Sequence, residues 1–214
     1  MAINLHRARA LNLLAIVPIF GNATLQPEML VAHQITRNLK KLRNVPIVPG
    51  AQGPAGQVFH ENPSWFDGSK VTILGKEGSF AASCENRGVA EMRKRLRRSQ
   101  KKVTILAIGP ATDVACLLAT SRRAVTRKIA EVVWLASQLE GEALMINGKT
   151  VNDFNFRLDP LGGAILLAEA SARDVPVRLM SFSLTGQTSQ SEKLIAFNAE
   201  DFTGPEPPTP RSRQ

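Results

Sequence analysis

The chain has 214 residues, 43% of them apolar and 21% charged, with a formal net charge of +9. That size fits one domain able to bury about 70% of its unfolded surface, and no apolar run reaches the roughly 20 residues of a membrane span. Tyrosine is absent, which excludes catalysis by a tyrosine, and the three histidines, His6, His33 and His60, stand at no metal-ligand spacing.

The first twenty residues place His6, Arg7 and Arg9 before the apolar run Leu11 to Phe20, an order that imitates a targeting peptide. Gly21-Asn22 directly after the run is turn chemistry, so we read Leu13 to Ile19 as a buried strand. Gln26 to Leu42 reads as a helix, with Met29, Leu30, Ile35, Leu39 and Leu42 on one stripe and Pro27 near its start. Residues 45–48 form a short expected strand, 51–68 a Gly/Pro-rich loop, and 71–74 a further short strand. Eight cations then fall within residues 87–102: Arg87, Arg93, Lys94, Arg95, Arg97, Arg98, Lys101 and Lys102. Such a stripe can bind nucleic acid phosphates. Val89, Met92 and Leu96 nevertheless give the segment one apolar face, and no aromatic residue interleaves to stack a base. A solvated amphipathic helix is therefore preferred, and nucleic acid is not expected as a partner.

Val103 to Ile108 is the clearest buried strand, β-branched and uncharged, and it stops at Gly109-Pro110. A helix is expected over 111–119, strands at 131–136 and 175–181, and a helix over 162–170. Cys84 and Cys116, 32 residues apart, match no metal or redox spacing and read as reduced residues in a cytoplasmic protein. Strands alternating with helices predict an α/β fold, a mostly parallel sheet with helices on both faces. One domain spans 1–200, and 201–214 is a Pro-rich tail read as disordered.

The most informative stretch is Asn147 to Pro160, three amides and two carboxylates between an apolar strand and a helix. Asp159 as N-cap and Pro160 as first helical residue account for two of its positions. Asn147, Asp153 and Asn155 are not so explained. Polar groups at the carboxyl ends of strands are where such folds hold ligands.

Taken together, Gly21-Asn22, Val48-Pro-Gly50-Ala51, Gly109-Pro-Ala-Thr112-Asp113, Asn147, Asp153-Phe-Asn155 and Asp159-Pro160 resemble, in order and spacing, the inosine/uridine-preferring nucleoside hydrolase family. The resemblance runs from about Leu11 to Thr185. It implies hydrolysis of the N-glycosidic bond of ribonucleosides, a place in nucleoside salvage, and a nucleoside or other ribosyl small molecule as ligand. Asn22, Asn147, Asp153 and Asn155 would then contact the ribose, and the carbonyl of Thr112 would be one Ca²⁺ ligand. The chain also departs from the family. The Asp-x-Asp-x-x-x-Asp-Asp signature of the family's first strand, source of the general base and most calcium carboxylates, has no counterpart before Leu11. Asp153 stands where glutamate is usual, Asp113 where asparagine is usual, and Trp134-Leu-Ala-Ser137 where a Met-Gly-Gly turn is common. No catalytic residue is therefore assigned. The expectation is a nucleoside hydrolase-like sheet missing its first strand, weak or inactive as an enzyme. A non-catalytic nucleoside- or carbohydrate-binding relative and a basic nucleic-acid-interacting protein are the alternatives. Association into a homo-oligomer is left open.

Overall fold

The computed structural model describes residues 11–37, 42, 44–55, 79–136, 144–146, 149–151 and 153–181. Strand 71–74, most of loop 51–68, the tail, His6, His60 and Asn147 lie outside the described residues. Helices are numbered α1 (Leu25–Arg37), α2 (Phe80–Ser83), α3 (Arg87–Arg98), α4 (Thr112–Thr120), α5 (Arg123–Thr126), α6 (Phe154–Leu158) and α7 (Pro160–Ala172). Strands are β1 (Val103–Ala107), β2 (Ile129–Leu135), β3 (Leu144–Ile146), β4 (Lys149–Val151) and β5 (Val177–Met180).

The main sheet has the order β1-β2-β5, and both pairings are parallel. Parallel neighbours need a crossover. Here α4 and α5 connect β1 to β2, and α6 and α7 lie between β2 and β5. This is the α/β architecture with a parallel sheet that the sequence implies. The apolar run at Leu13 to Ile19 is extended, but it pairs through one isolated parallel bridge, Ile16 with Ile47. Backbone hydrogen bonds Ile16 N to Pro46 O, Val48 N to Ile16 O, Gly50 N to Pro18 O and Phe20 N to Ala51 O hold these two segments side by side. Proline at 18, 46 and 49 removes donors a regular ladder would use, so the pairing stays irregular.

One core forms where α3, α4 and α7 meet β1 and β2. Val89 and Leu96 of α3, Leu117 and Leu118 of α4, Val132 and Trp134 of β2 and Leu166 of α7 are almost fully buried within it. Helix α3 begins at Asn86, whose side-chain oxygen accepts from Val89 N at 2.9 Å. Its apolar stripe faces this core, with Met92 packed against it, and Arg97 and Arg98 point to solvent. A smaller cluster joins Phe20, Ala51 and Leu158, with Ile19 and Phe154 packed on it.

The cysteines correct the sequence reading. Cys84, the C-cap of α2, and Cys116, inside α4, form a disulfide with their Cα atoms 5.0 Å apart. Distance along the chain could not reveal that the fold brings the two helices together. The pairing removes the argument for the cytoplasm that two separate thiols supplied, since structural disulfides persist mainly in oxidising compartments. Closing a loop of 32 residues stabilises a fold by roughly 3–4 kcal/mol in the chain-entropy account. Reduction should accordingly lower the midpoint of thermal unfolding by about 10 °C. Equal melting curves with and without reductant, after thiol titration proves the bond open, would contradict that assignment.

Candidate functional site

Four chain segments end together at the carboxyl side of the sheet: 16–21, 46–51, the end of β1 at Ile108-Gly109, and the end of β2 at Leu135-Ala136. A Cβ on Gly109 would lie 3.1 Å from Ile19, and one on Gly21 would lie 3.6 Å from Pro110, so the first and third segments touch. Trp134 Nε1 donates to Gly109 O at 3.1 Å, and Asn155 Nδ2 donates to Leu135 O at 2.7 Å and Ile108 O at 3.2 Å. Asn155 thus pins the two strand ends to each other. Trp134, 1% exposed, fills the space beneath α6 with its ring centroid 6.0 Å from that of Phe156. That ring occupies the position where a Met-Gly-Gly turn is usual in the resembling family.

Asp153 is the N-cap of α6, accepting from Asn155 N and Phe156 N, each at 3.2 Å. A carboxylate on the first-turn amides satisfies donors that the helix leaves open and complements its dipole. Asn22 is exposed in the turn that follows Phe20-Gly21. Thr112 opens α4 and is fully buried, and its hydroxyl donates to Asp159 Oδ2. Asp159 Oδ1 accepts from Gly162 N at 2.8 Å, so Asp159 caps α7, with Pro160 as its first residue. One buried carboxylate therefore joins the starts of α4 and α7. The structure places Asn22, Thr112, Asp153 and Asn155 at one end of the sheet. Asn147 and Gly148 are the two residues between β3 and β4, which pair antiparallel with Ile146 opposite Lys149. Asn-Gly is the strongest short hairpin signal, and the sequence displays it.

Asn86 is the residue that the sequence does not mark, and Asp113 is marked there only as a departure from the family's asparagine. Asp113 is 5% exposed; its carboxylate accepts from Ala51 N at 3.1 and 3.2 Å and from Asn86 Nδ2 at 2.8 Å. It thereby ties segment 46–51 to α4 and to the start of α3. Burial pushes its carboxyl up to about 6, against the smaller opposing effect of the bonds from Asn86 and Ala51. A raised value means that the folded state holds the proton more tightly. The favourable contribution is complete below the unfolded value near 3.8 and is lost as pH rises through about 6. The shift corresponds to about 3 kcal/mol. Asp113→Asn keeps an oxygen where Oδ1 receives both donors, so it should flatten the stability profile between pH 4 and 6.5 and raise the melting midpoint at pH 7. An unchanged slope in pH-dependent melting would refute this.

The donors present do not fit a calcium shell. Ca²⁺ takes six to eight oxygens, and no group of three or more His, Cys, Asp or Glu gathers among the described residues. Thr112 has its hydroxyl on Asp159 and its carbonyl directed along a helix axis.

A parallel α/β sheet with polar groups and helix starts gathered at the carboxyl ends of its strands places the chain in the open-sheet class. The chain belongs to the inosine-uridine preferring nucleoside hydrolase family, whose model matches residues 1–207. No curated protein matches it. Among solved structures it is similar to an inosine-guanosine nucleoside hydrolase, at 19% identity and TM-score 0.62, over 87% of this chain and 60% of that one. It is also similar to a purine-preferring ribonucleoside hydrolase from Gardnerella vaginalis, at 17% identity and TM-score 0.60, over 84% and 56%. A third is the type III effector protein XopQ complexed with adenosine diphosphate ribose, at 20% identity and TM-score 0.60, over 84% and 51%. Such identities establish the shared fold. The chain spans between 51% and 60% of the length of these three proteins.

Proposed function

We propose that the chain is a nucleoside hydrolase-like protein that binds the ribosyl part of a nucleoside at the carboxyl ends of β1 and β2, and that by itself it hydrolyses the N-glycosidic bond little. Membership of the family supports the ligand class, as does the gathering of Asn22, Asp153 and Asn155 at that end of the sheet. One observation carries the second half. Asp113, Asp153 and Asp159, the aspartates described there, each accept hydrogen bonds from backbone amides as a tie or a cap.

N-glycosidic cleavage passes through an oxocarbenium-like state and needs a group to activate water. A carboxylate whose oxygens are engaged with backbone amides serves as a structural tie and is turned away from that task. Loss of a general base alone lowers a rate by about 10²–10⁴-fold. Calcium belongs to this proposal only as the metal the family resemblance implies, and no step is assigned to it.

Titration calorimetry with ribose and with inosine, each with and without Ca²⁺, tests the binding half. The expected result is saturable heat with both ligands, nearly equal in the two buffers. Binding that requires calcium would show that a metal shell forms, and would contradict a site built from the chain's own polar groups. Absence of heat with either ligand would remove the ribosyl site.

A further inference from the structure

The amino end of the sheet, opposite the strand ends just described, carries a cationic surface that the ribosyl site does not use. Arg97 and Arg98 end α3, and Lys101 and Lys102 lead into β1. Arg122 precedes α5, and Arg127 and Lys128 lead into β2. These segments are neighbours in space: Val103 N donates to Lys128 O at 2.8 Å, and Lys128 Nζ donates to Ser99 O at 3.3 Å. Arg123 and Arg173 join them, Arg123 donating to Ala172 O and Arg173 to Ser121 O. An open groove of about 540 Å³ is lined by Arg97, Arg122, Ala124, Val125 and Lys128. A second, of about 460 Å³, includes Lys102, Arg123, Arg127 and Arg173. The two flank α5.

Among the described residues, acidic side chains neutralise little of this. Arg123 pairs with Asp174 and Arg173 with Glu169. Glu91 takes Lys94 and Arg95, and Glu131 takes Arg178. Arg97, Arg98, Lys101, Lys102, Arg122 and Arg127 are exposed and make no ion pair among the described residues. The sequence shows only the cations of one helix and its exit. The fold adds those before β2 and around α5.

We propose that this end of the sheet is a docking surface for the phosphate backbone of double-stranded nucleic acid, read without regard to base sequence. Guanidinium forks match phosphate oxygens in pairs, and cations spread along two adjoining grooves suit a row of phosphates better than a single anion. Among the described residues no aromatic stands with these cations to stack a base, so the contact is with the backbone. The proposal is independent of the ribosyl site.

Fluorescence anisotropy with a labelled 20-base-pair duplex of arbitrary sequence, over a series of salt concentrations, tests it. Binding should weaken linearly in log–log form with salt. The double variant Arg122→Glu, Arg127→Glu should bind at least about tenfold more weakly at low salt, with a slope reduced by about 1.8 for two lost phosphate contacts. Both side chains are solvent-exposed, so an unchanged melting curve serves as the fold control. No binding at low salt, or equal binding by the variant, would overturn the proposal. Displacement of the duplex by poly-glutamate at equal charge concentration would also overturn it and assign the surface to an acidic polypeptide.

Discussion

Gly50→Ala is expected to destabilise the chain by about 3–5 kcal/mol, more than its size suggests. A Cβ at this position would overlap Asp113 Oδ2 and lie 2.9 Å from Pro18 O and 3.0 Å from Val17. The overlap expels the carboxylate that holds Ala51 N and Asn86 Nδ2. Those two donors then lose their buried acceptor. The contact with Pro18 O is with backbone, which cannot rotate away, so segment 16–21 must move as well. Gly88, at the start of α3, packs against the same spot, where its Cβ would be 2.9 Å from Gly50 Cα. Denaturant unfolding measures the loss. In an Asp113→Ala background the added cost of Gly50→Ala should shrink but not vanish, because Pro18 O remains. Strict additivity of the two substitutions would show that the carboxylate is not what the methyl meets.

Asp159→Ala should cost roughly 3 kcal/mol, the sum of a lost helix cap and an orphaned hydroxyl. Asp159 is 1% exposed and Thr112 fully buried, so truncation leaves a buried hydroxyl and the Gly162 amide short of their acceptor. Asp159→Asn separates the two parts. The amide retains an oxygen for Gly162 N, and the Thr112 hydroxyl can rotate to accept from the new NH₂, so most of the stability should return. If alanine and asparagine lose equally, the effect comes from charge and not from the cap. Stability is read by denaturant titration and helix content by far-ultraviolet dichroism.

Much of this architecture is legible in the residues. Val103 to Ile108 announces a parallel strand by its β-branched, uncharged run, and the structure places β1 over Val103–Ala107, but the expected burial fails: none of these residues is fully buried and Leu106 is 48% exposed. Asp159-Pro160 announces a helix start, and α7 begins at Pro160. The apolar run at Leu13 to Ile19 misleads in part: its residues are half-buried rather than buried, and the prolines on both segments leave one bridge. The Cys84–Cys116 bond is not legible at all, since proximity of α2 and α4 is a property of the packed fold. The antiparallel pairing of β3 and β4 is not anticipated from the sequence, where Asn147 is expected only as a ligand contact.

The candidate site is legible in the same uneven way. Motif order locates its end of the sheet, but not the work each side chain does there. Asp153 and Asn155 carry helix-capping and strand-pinning bonds that residue type alone could not distinguish from ligand contacts. Asp113 stands out in the sequence only as a departure from the family's asparagine. Its burial against Asn86 and Ala51 comes from segments 27 and 62 residues away from it along the chain.

The decisive experiment follows inosine by chromatography during prolonged incubation with a stoichiometric excess of substrate, with Ca²⁺ present, alongside calorimetric proof that the substrate is bound. An occupied site is expected, with release of free base no greater than about one equivalent per chain and no sustained turnover. Continuous release of base over many equivalents, abolished by heat-denaturing the protein, would contradict the proposal that the chain binds the ribosyl group without cutting it.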